Sequence, residues 1–107
     1  MIYIHVAIYR WKADASTDAV NRALIQIENL AGKVPGILDI SVGENHSKYS
    51  EGYSHIVLVR GSSQEAIDKY RQHPEHQEAA AVLDEAEDHG IGVDFVTGEF
   101  AEKVAHG

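Results

Sequence analysis

Ile2-Tyr3-Ile4-His5-Val6-Ala7-Ile8-Tyr9-Arg10-Trp11 reads as a β-strand with two dry faces. Ile2, Ile4, Val6 and Ile8 fall on one side; Tyr3, His5, Ala7, Tyr9 and Trp11 fall on the other. A strand at the surface of a small domain keeps one polar face. Here neither face is polar, so a separate layer must cover each. Tyr53-Ser54-His55-Ile56-Val57-Leu58-Val59-Arg60 has the same character, with Tyr53, His55, Val57 and Val59 set against Ile56 and Leu58. These two strands are expected at the centre of one sheet.

The remaining elements follow outward from that pair. Ser16 is the expected N-cap of a helix in which Val20, Ala23, Leu24, Ile27, Leu30 and Ala31 recur at helical spacing. Pro35-Gly36 is a turn before a strand over 37–43, with Leu38, Ile40 and Val42 on one face and Asp39 and Ser41 on the other. A polar loop covers 44–52. Ser62 and Glu65 have capping-box spacing for a helix that turns Ala66, Ile67 and Tyr70 inward and ends near Tyr70 or Arg71. A further helix runs from Pro74 to Gly90, with Ala79, Ala80, Val82, Leu83 and Ala86 inward and Asp84, Glu85, Glu87 and Asp88 on a solvated acidic face and end. A last strand covers 91–97. In 98–107 the apolar content is too low to assign an element, with Phe100 and Val104 free to dock on a partner.

The order strand, helix, strand, strand, helix, strand predicts a ferredoxin-like α+β fold. Its antiparallel four-stranded sheet has the order 4-1-3-2, and the helices lie on one face. One domain is expected over residues 1–107, with 98–107 as a tail. The uncovered face needs a second sheet, and a homodimer packed sheet on sheet is the simplest supply.

Composition narrows the function. The formal charge is −8, which repels phosphate backbones and argues against a nucleic-acid partner. The absence of cysteine excludes a thiolate nucleophile, a disulfide framework and Cys-ligated zinc. No apolar run has the length of a membrane span, and the first ten residues lack the basic and small-residue features of a signal peptide. A cytoplasmic protein is expected, with neither nucleic acid nor membrane as partner. No nucleophile elbow, phosphate-cradling loop, dinucleotide fingerprint or HExxH motif is present. Seven histidines remain to be explained.

Tyr70-Arg71-Gln72-His73-Pro74-Glu75-His76 places a phenol and two imidazoles around a helix break. Proline suits the first position of a helix and pushes the residue before it out of helical geometry. Tyr70 then lies on the last turn of one helix and His76 on the first turn of the next, both free to face one space. On the central strands, His5 shares its face with Tyr3 and Ala7, and His55 shares its face with Val57. If those faces point toward the helices, Tyr70, His76, His5 and His55 converge on an apolar pocket for a small molecule, with His73 at its rim. Phenol and imidazole suit proton transfer near neutral pH. A metal is not expected, because Pro74 spoils the spacing of His73 and His76, and His5 and His55 would lie roughly 10 Å apart at ~3.3 Å per residue.

These residues resemble the stress-responsive A/B-barrel, or Dabb, family over nearly the whole chain. The resemblance rests on His5 with Trp11-Lys12, Val34-Pro35-Gly36-Ile37, Val42-Gly43-Glu44-Asn45, Gly52-Tyr53-Ser54-His55, Tyr70 with His73-Pro74-Glu75-His76, and Val93-Asp94-Phe95. It implies a dimeric α/β barrel. It also implies, by similarity to plant polyketide cyclases of the family, a cofactor-free acid–base pair at Tyr70 and His76 with pocket histidines at His5 and His55. The positions that line the alkyl pocket in those cyclases carry Leu24 and Ile27, aliphatic where the cyclases are aromatic, so a different substrate is expected. The expected function is a cofactor-independent lyase, isomerase or cyclase acting on a small carbonyl or phenolic compound. A non-catalytic binding or structural dimer is the alternative, and a cofactor-free monooxygenase on the same fold is a weaker one.

Overall fold

The computed structural model describes all 107 residues. The strands are β1 (Tyr3–Trp11), β2 (Ile37–Glu44), β3 (His55–Gly61) and β4 (Glu87–Val96). The helices are α1 (Thr17–Glu28), α2 (Gln64–Gln72), α3 (Pro74–Ala86) and α4 (Glu99–His106), and a 3-10 turn at Asn29–Gly32 follows α1. All strand pairs are antiparallel, in the order β2-β3-β1-β4. This is the expected ferredoxin-like arrangement, with β1 and β3 at the centre. No helix is long and apolar enough to cross a membrane.

One face of the sheet forms the core. Val57 and Val59 of β3 and Ile40 of β2 are buried beneath Val20, Ala23, Leu24 and Ile27 of α1, Ala66, Ile67 and Tyr70 of α2, and Ala79 and Leu83 of α3. Tyr3, Ala7, Tyr9 and Trp11 of β1 pack against the same cluster, so the face carrying His5 and His55 points toward the helices. The opposite face is also apolar and has no layer over it. Val6, Ile8, Ile56 and Leu58 are half-buried there, and Ile91, Val93 and Phe95 of β4 are 40%, 41% and 52% exposed.

Local chemistry explains the joints. Ser16 caps α1, its side chain accepting from the Ala19 N–H. His73 alone separates α2 from α3, with φ −62° and ψ 134°, and Pro74 opens α3. The break is held from outside. Gln26 donates to the Glu75 carbonyl, and Lys33 pairs with the Glu75 carboxylate at 2.9 Å. Gly36 follows Pro35 at φ +87°, where a Cβ would lie 2.7 Å from that of Ala66. Only glycine permits that turn so close to α2.

Five expectations need correction. The cap of α2 is Ser63, whose side chain accepts from the Ala66 N–H, so the Ser62–Glu65 box is out of step by one residue. The third strand begins at His55, because Tyr53 still closes the loop by donating to the Ser50 carbonyl. Leu38 does not share a face with Ile40 and Val42. A bulge between Ile37 and Asp39 turns Leu38 outward, 49% exposed, and buries Ile37 instead. The last helix stops at Ala86, and β4 begins at Glu87 rather than Ile91. Acidic residues at a helix C-terminus oppose its dipole, whereas in β4 Asp88 pairs with Arg10 at 2.7 Å and Glu87 lies opposite Trp11. The tail, left unassigned, forms α4.

The cap assignment has a direct check. Ser63→Ala should lower the unfolding free energy by about 1 kcal/mol in urea titrations. Ser62→Ala should stay within about 0.5 kcal/mol of the unsubstituted chain.

Candidate active site

The residues around the helix break form a cluster with the first half of β1. The Tyr70 ring meets the His76 ring edge-on, with centroids 4.6 Å apart, and the His5 ring lies 6.3 Å from Tyr70. The break makes this possible. A continuous helix would carry His76 past Tyr70 by six residues on another face, whereas the extended His73 folds the first turn of α3 back beside it.

Tyr70 is 1% exposed and belongs to the core. This is the inward placement expected of it on α2. Its hydroxyl makes no hydrogen bond, yet no fully buried side-chain polar atom lacks a partner, so the slight remaining exposure lies at that hydroxyl. Desolvation pushes the Tyr70 phenol far above the ordinary tyrosine range, with the Tyr9 phenol adding to it. Tyr70 thus stays a neutral donor. His76 is half-buried, and desolvation followed by the nearby charge of His5 holds its pKa below the usual imidazole value. It is a neutral base at physiological pH.

His5 is oriented by residues that sequence reasoning did not assign to the site. Its Nδ1 lies 2.6 Å from Asp94 Oδ1 on β4, directly opposite in the ladder. Arg71 Nη2 approaches the same Nδ1 at 2.9 Å and both Asp94 oxygens at 3.0 and 3.1 Å. One ring nitrogen cannot both donate to the carboxylate and accept from the guanidinium. The shorter, charge-assisted contact decides: Nδ1–H donates to Asp94, and Arg71 donates to Asp94 as well. Asp94 is held below the usual carboxylate range, chiefly by the His5 hydrogen bond and then by Arg71. When the ring is neutral, this hydrogen bond leaves Nε2 as the acceptor. The clue in the sequence was Val93-Asp94-Phe95, a lone acid inside an apolar strand.

His55 does not join this cluster. The register sets it opposite Tyr9, four residues from His5, or about 13 Å along the sheet. The Trp11 Nε1–H donates to His55 Nδ1 at 2.9 Å, and the Ser54 hydroxyl lies 2.8 Å from the same nitrogen. Trp11 in turn stacks on Tyr9 at 4.9 Å. Two cavities of about 240 and 270 Å³ adjoin His55, both bordered by Asn21 and Glu44, and the second also by Leu24 and Val42. Ile27 and Val57 are 1% exposed and serve the core, while Tyr3 and Ala7 are half-buried against it. His73 caps α3, its Nδ1 accepting from the Glu75 N–H at 3.1 Å. No three His, Asp or Glu side chains are gathered as a metal ion would require.

Residues 4–97 match the family described as the Stress responsive A/B Barrel Domain, Dabb. The chain belongs to this family. A Dabb-like fold recurs in a dimeric ferredoxin-like protein of unknown function from Jannaschia sp. CCS1. It is 24% identical, has a TM-score of 0.82, and the match covers 91% of this chain and 100% of that one. It recurs in a hydroxynitrile lyase from Passiflora edulis, 17% identical with a TM-score of 0.79 over 92% and 94% of the two chains. An antibiotic biosynthesis monooxygenase-like protein from Nitrosomonas europaea is 10% identical, with a TM-score of 0.76 over 92% and 91%. At these identities the likeness is one of fold. No curated protein matches the sequence.

The electrostatics of this Dabb site can be tested by histidine NMR. His76 should titrate with a midpoint below ~6.5. His5→Gln should raise that midpoint, because His5 is one of the groups that lower it. With the folded value below the unfolded one, the unfolded chain binds the proton first as pH falls. The contribution of His76 to stability is therefore intact above about pH 6.5 and declines below it.

Proposed function

We propose that this Dabb protein is a homodimeric, cofactor-free acid–base enzyme acting on a small carbonyl or phenolic compound. The observation that carries the proposal is the edge contact of a neutral phenol with a neutral imidazole, Tyr70 and His76, with centroids 4.6 Å apart. His76 abstracts a proton next to the substrate carbonyl. Tyr70, kept protonated by burial, donates to the developing oxyanion. His5, held by Asp94 and Arg71, orients the substrate through Nε2. Such chemistry belongs to lyases, isomerases and aldol-type cyclases. The occurrence of a hydroxynitrile lyase on this fold supports the lyase class. Leu24 supplies an aliphatic wall in the cavity beside His55, and His55 with Trp11 recognises the far end of a longer substrate. The homodimer follows from the bare outer face of the sheet and is supported by the relative from Jannaschia, which is described as dimeric.

One observation favours a second reading. Tyr70 is among the largest fully buried side chains, as a purely structural residue would be. A non-catalytic dimer with satisfied internal histidines fits that burial.

The two readings separate on paired variants. Tyr70→Phe keeps the ring and deletes the hydroxyl; His76→Gln keeps hydrogen bonding and removes the titrating ring. Under the enzymatic reading both fold within about 1 kcal/mol of the unsubstituted chain. Both lose ~10²–10⁴-fold in turnover on any substrate found. A phenolic or β-dicarbonyl probe should shift the NMR signals of His76 and His5 together, and Tyr70→Phe should weaken its binding. A loss of several kcal/mol in both variants, with probe binding unchanged, would favour the structural dimer. Light scattering at micromolar concentration should return twice the chain mass.

A further inference from the structure

The feature left without a role is α4. The family match stops at Thr97, and α4 begins two residues later. None of its residues is buried. Phe100 is 79% exposed and Val104 65%, and at i and i+4 they form one apolar stripe. An eight-residue helix has little stability of its own in water, so its apolar stripe must find a surface. Its own chain does not supply one. The molecule is drawn out to 49 Å in its longest dimension, with a radius of gyration of 14.8 Å where about 13 Å is ordinary for this length.

We propose that α4 is an arm that docks on a second copy of this chain, with Phe100 and Val104 seated over the partner's Leu38. The inference rests on the homodimer proposed above and adds a contact to it. Continuity is the first argument. The arm grows directly from β4, whose Ile91, Val93 and Phe95 belong to the uncovered apolar face. The second argument is symmetry. Tyr3 pairs with both Val96 and Gly61, and Gly61 pairs with Ile37. The root of α4 and the bulge carrying Leu38 therefore lie at the same end of the sheet, on opposite edges. A two-fold axis along the strands, between two facing sheets, exchanges the edges and keeps the ends aligned. It carries β4 of one subunit over β2 of the other, so that both free edges meet a neighbour. The arm, about 12 Å long, then emerges beside the partner's Leu38. Leu38 itself is unexplained within one chain, a leucine turned out by a bulge and 49% exposed.

Sedimentation across a dilution series tests this with four proteins: the full chain, a chain ending at Thr97, the double variant Phe100→Asp/Val104→Asp, and Leu38→Asp. Circular dichroism and thermal melts on each confirm that the fold is retained. Dimer dissociation constants should rise at least ten-fold in all three altered chains. In mixed labelled and unlabelled dimers, isotope-filtered NOEs should join the Phe100 ring to Leu38 methyls of the opposite subunit. A full chain that is monomeric throughout would overturn the homodimer, and this inference with it. A dimeric full chain whose affinity stays within two-fold in the altered chains, without those intermolecular NOEs, would overturn the arm alone.

Discussion

The central strand of this protein has no face that tolerates water, and the rest of the structure depends on that constraint. On one side of β1, Tyr3, Ala7, Tyr9 and Trp11 require a helical layer, which α1, α2 and α3 provide. Because His5 belongs to the same side, the cover that buries the aromatics also encloses an imidazole. On the other side, Val6 and Ile8 with Ile56, Leu58 and the β4 residues form an apolar sheet surface that no part of the same chain overlies. A few hundred square ångströms of such surface is where isolated proteins begin to associate. The demand that creates the interior site thus also creates the demand for a partner.

The helix break converts a packed interior into a candidate site. Pro74 excludes His73 from helical geometry, and the chain turns within one residue. Tyr70 and His76 are thereby brought face to edge, and the ties from Gln26 and Lys33 to Glu75 keep α3 in that position. Both groups are forced toward their neutral forms by the same burial. A neutral donor beside a neutral base is the combination that proton transfer at a carbonyl needs, and a charged pair in the same space would be costly. Asp94 on the edge strand and Arg71 at the end of α2 serve the third group, fixing the His5 tautomer.

Most of the architecture was legible because it follows from side-chain alternation. The two dry faces of β1 and β3 specified the centre of the sheet, and Pro74 specified the break. The misread positions share a cause, which is competition from a partner distant in sequence. Ser62 and Ser63 are equally good caps locally, but the Ser62 N–H donates to the distant Gly36 carbonyl at 2.8 Å, and Ser63 takes the cap. The acidic stretch after Ala86 looks like the solvated end of a helix until Arg10 and Trp11 are seen to need a ladder partner. Leu38 fits an alternating strand until the bulge at Ile37 shifts it. The site was legible as a set of residue types and not as a geometry. His5 and His55 do point to the helices, but only the β1–β3 register reveals that His55 sits opposite Tyr9, four residues from His5, and that it is engaged by Trp11 rather than by Tyr70.

The central claim is that the cluster moves protons. Its most direct measurement is deuterium exchange at the α-carbon of an aryl methyl ketone, followed by proton NMR in D2O near neutral pH. The dimer should accelerate loss of the methyl signal, saturably in ketone, and His76→Gln should return the rate to that of buffer. Equal rates with the unsubstituted protein, with His76→Gln and with buffer alone, for a ketone seen to bind, would contradict the account.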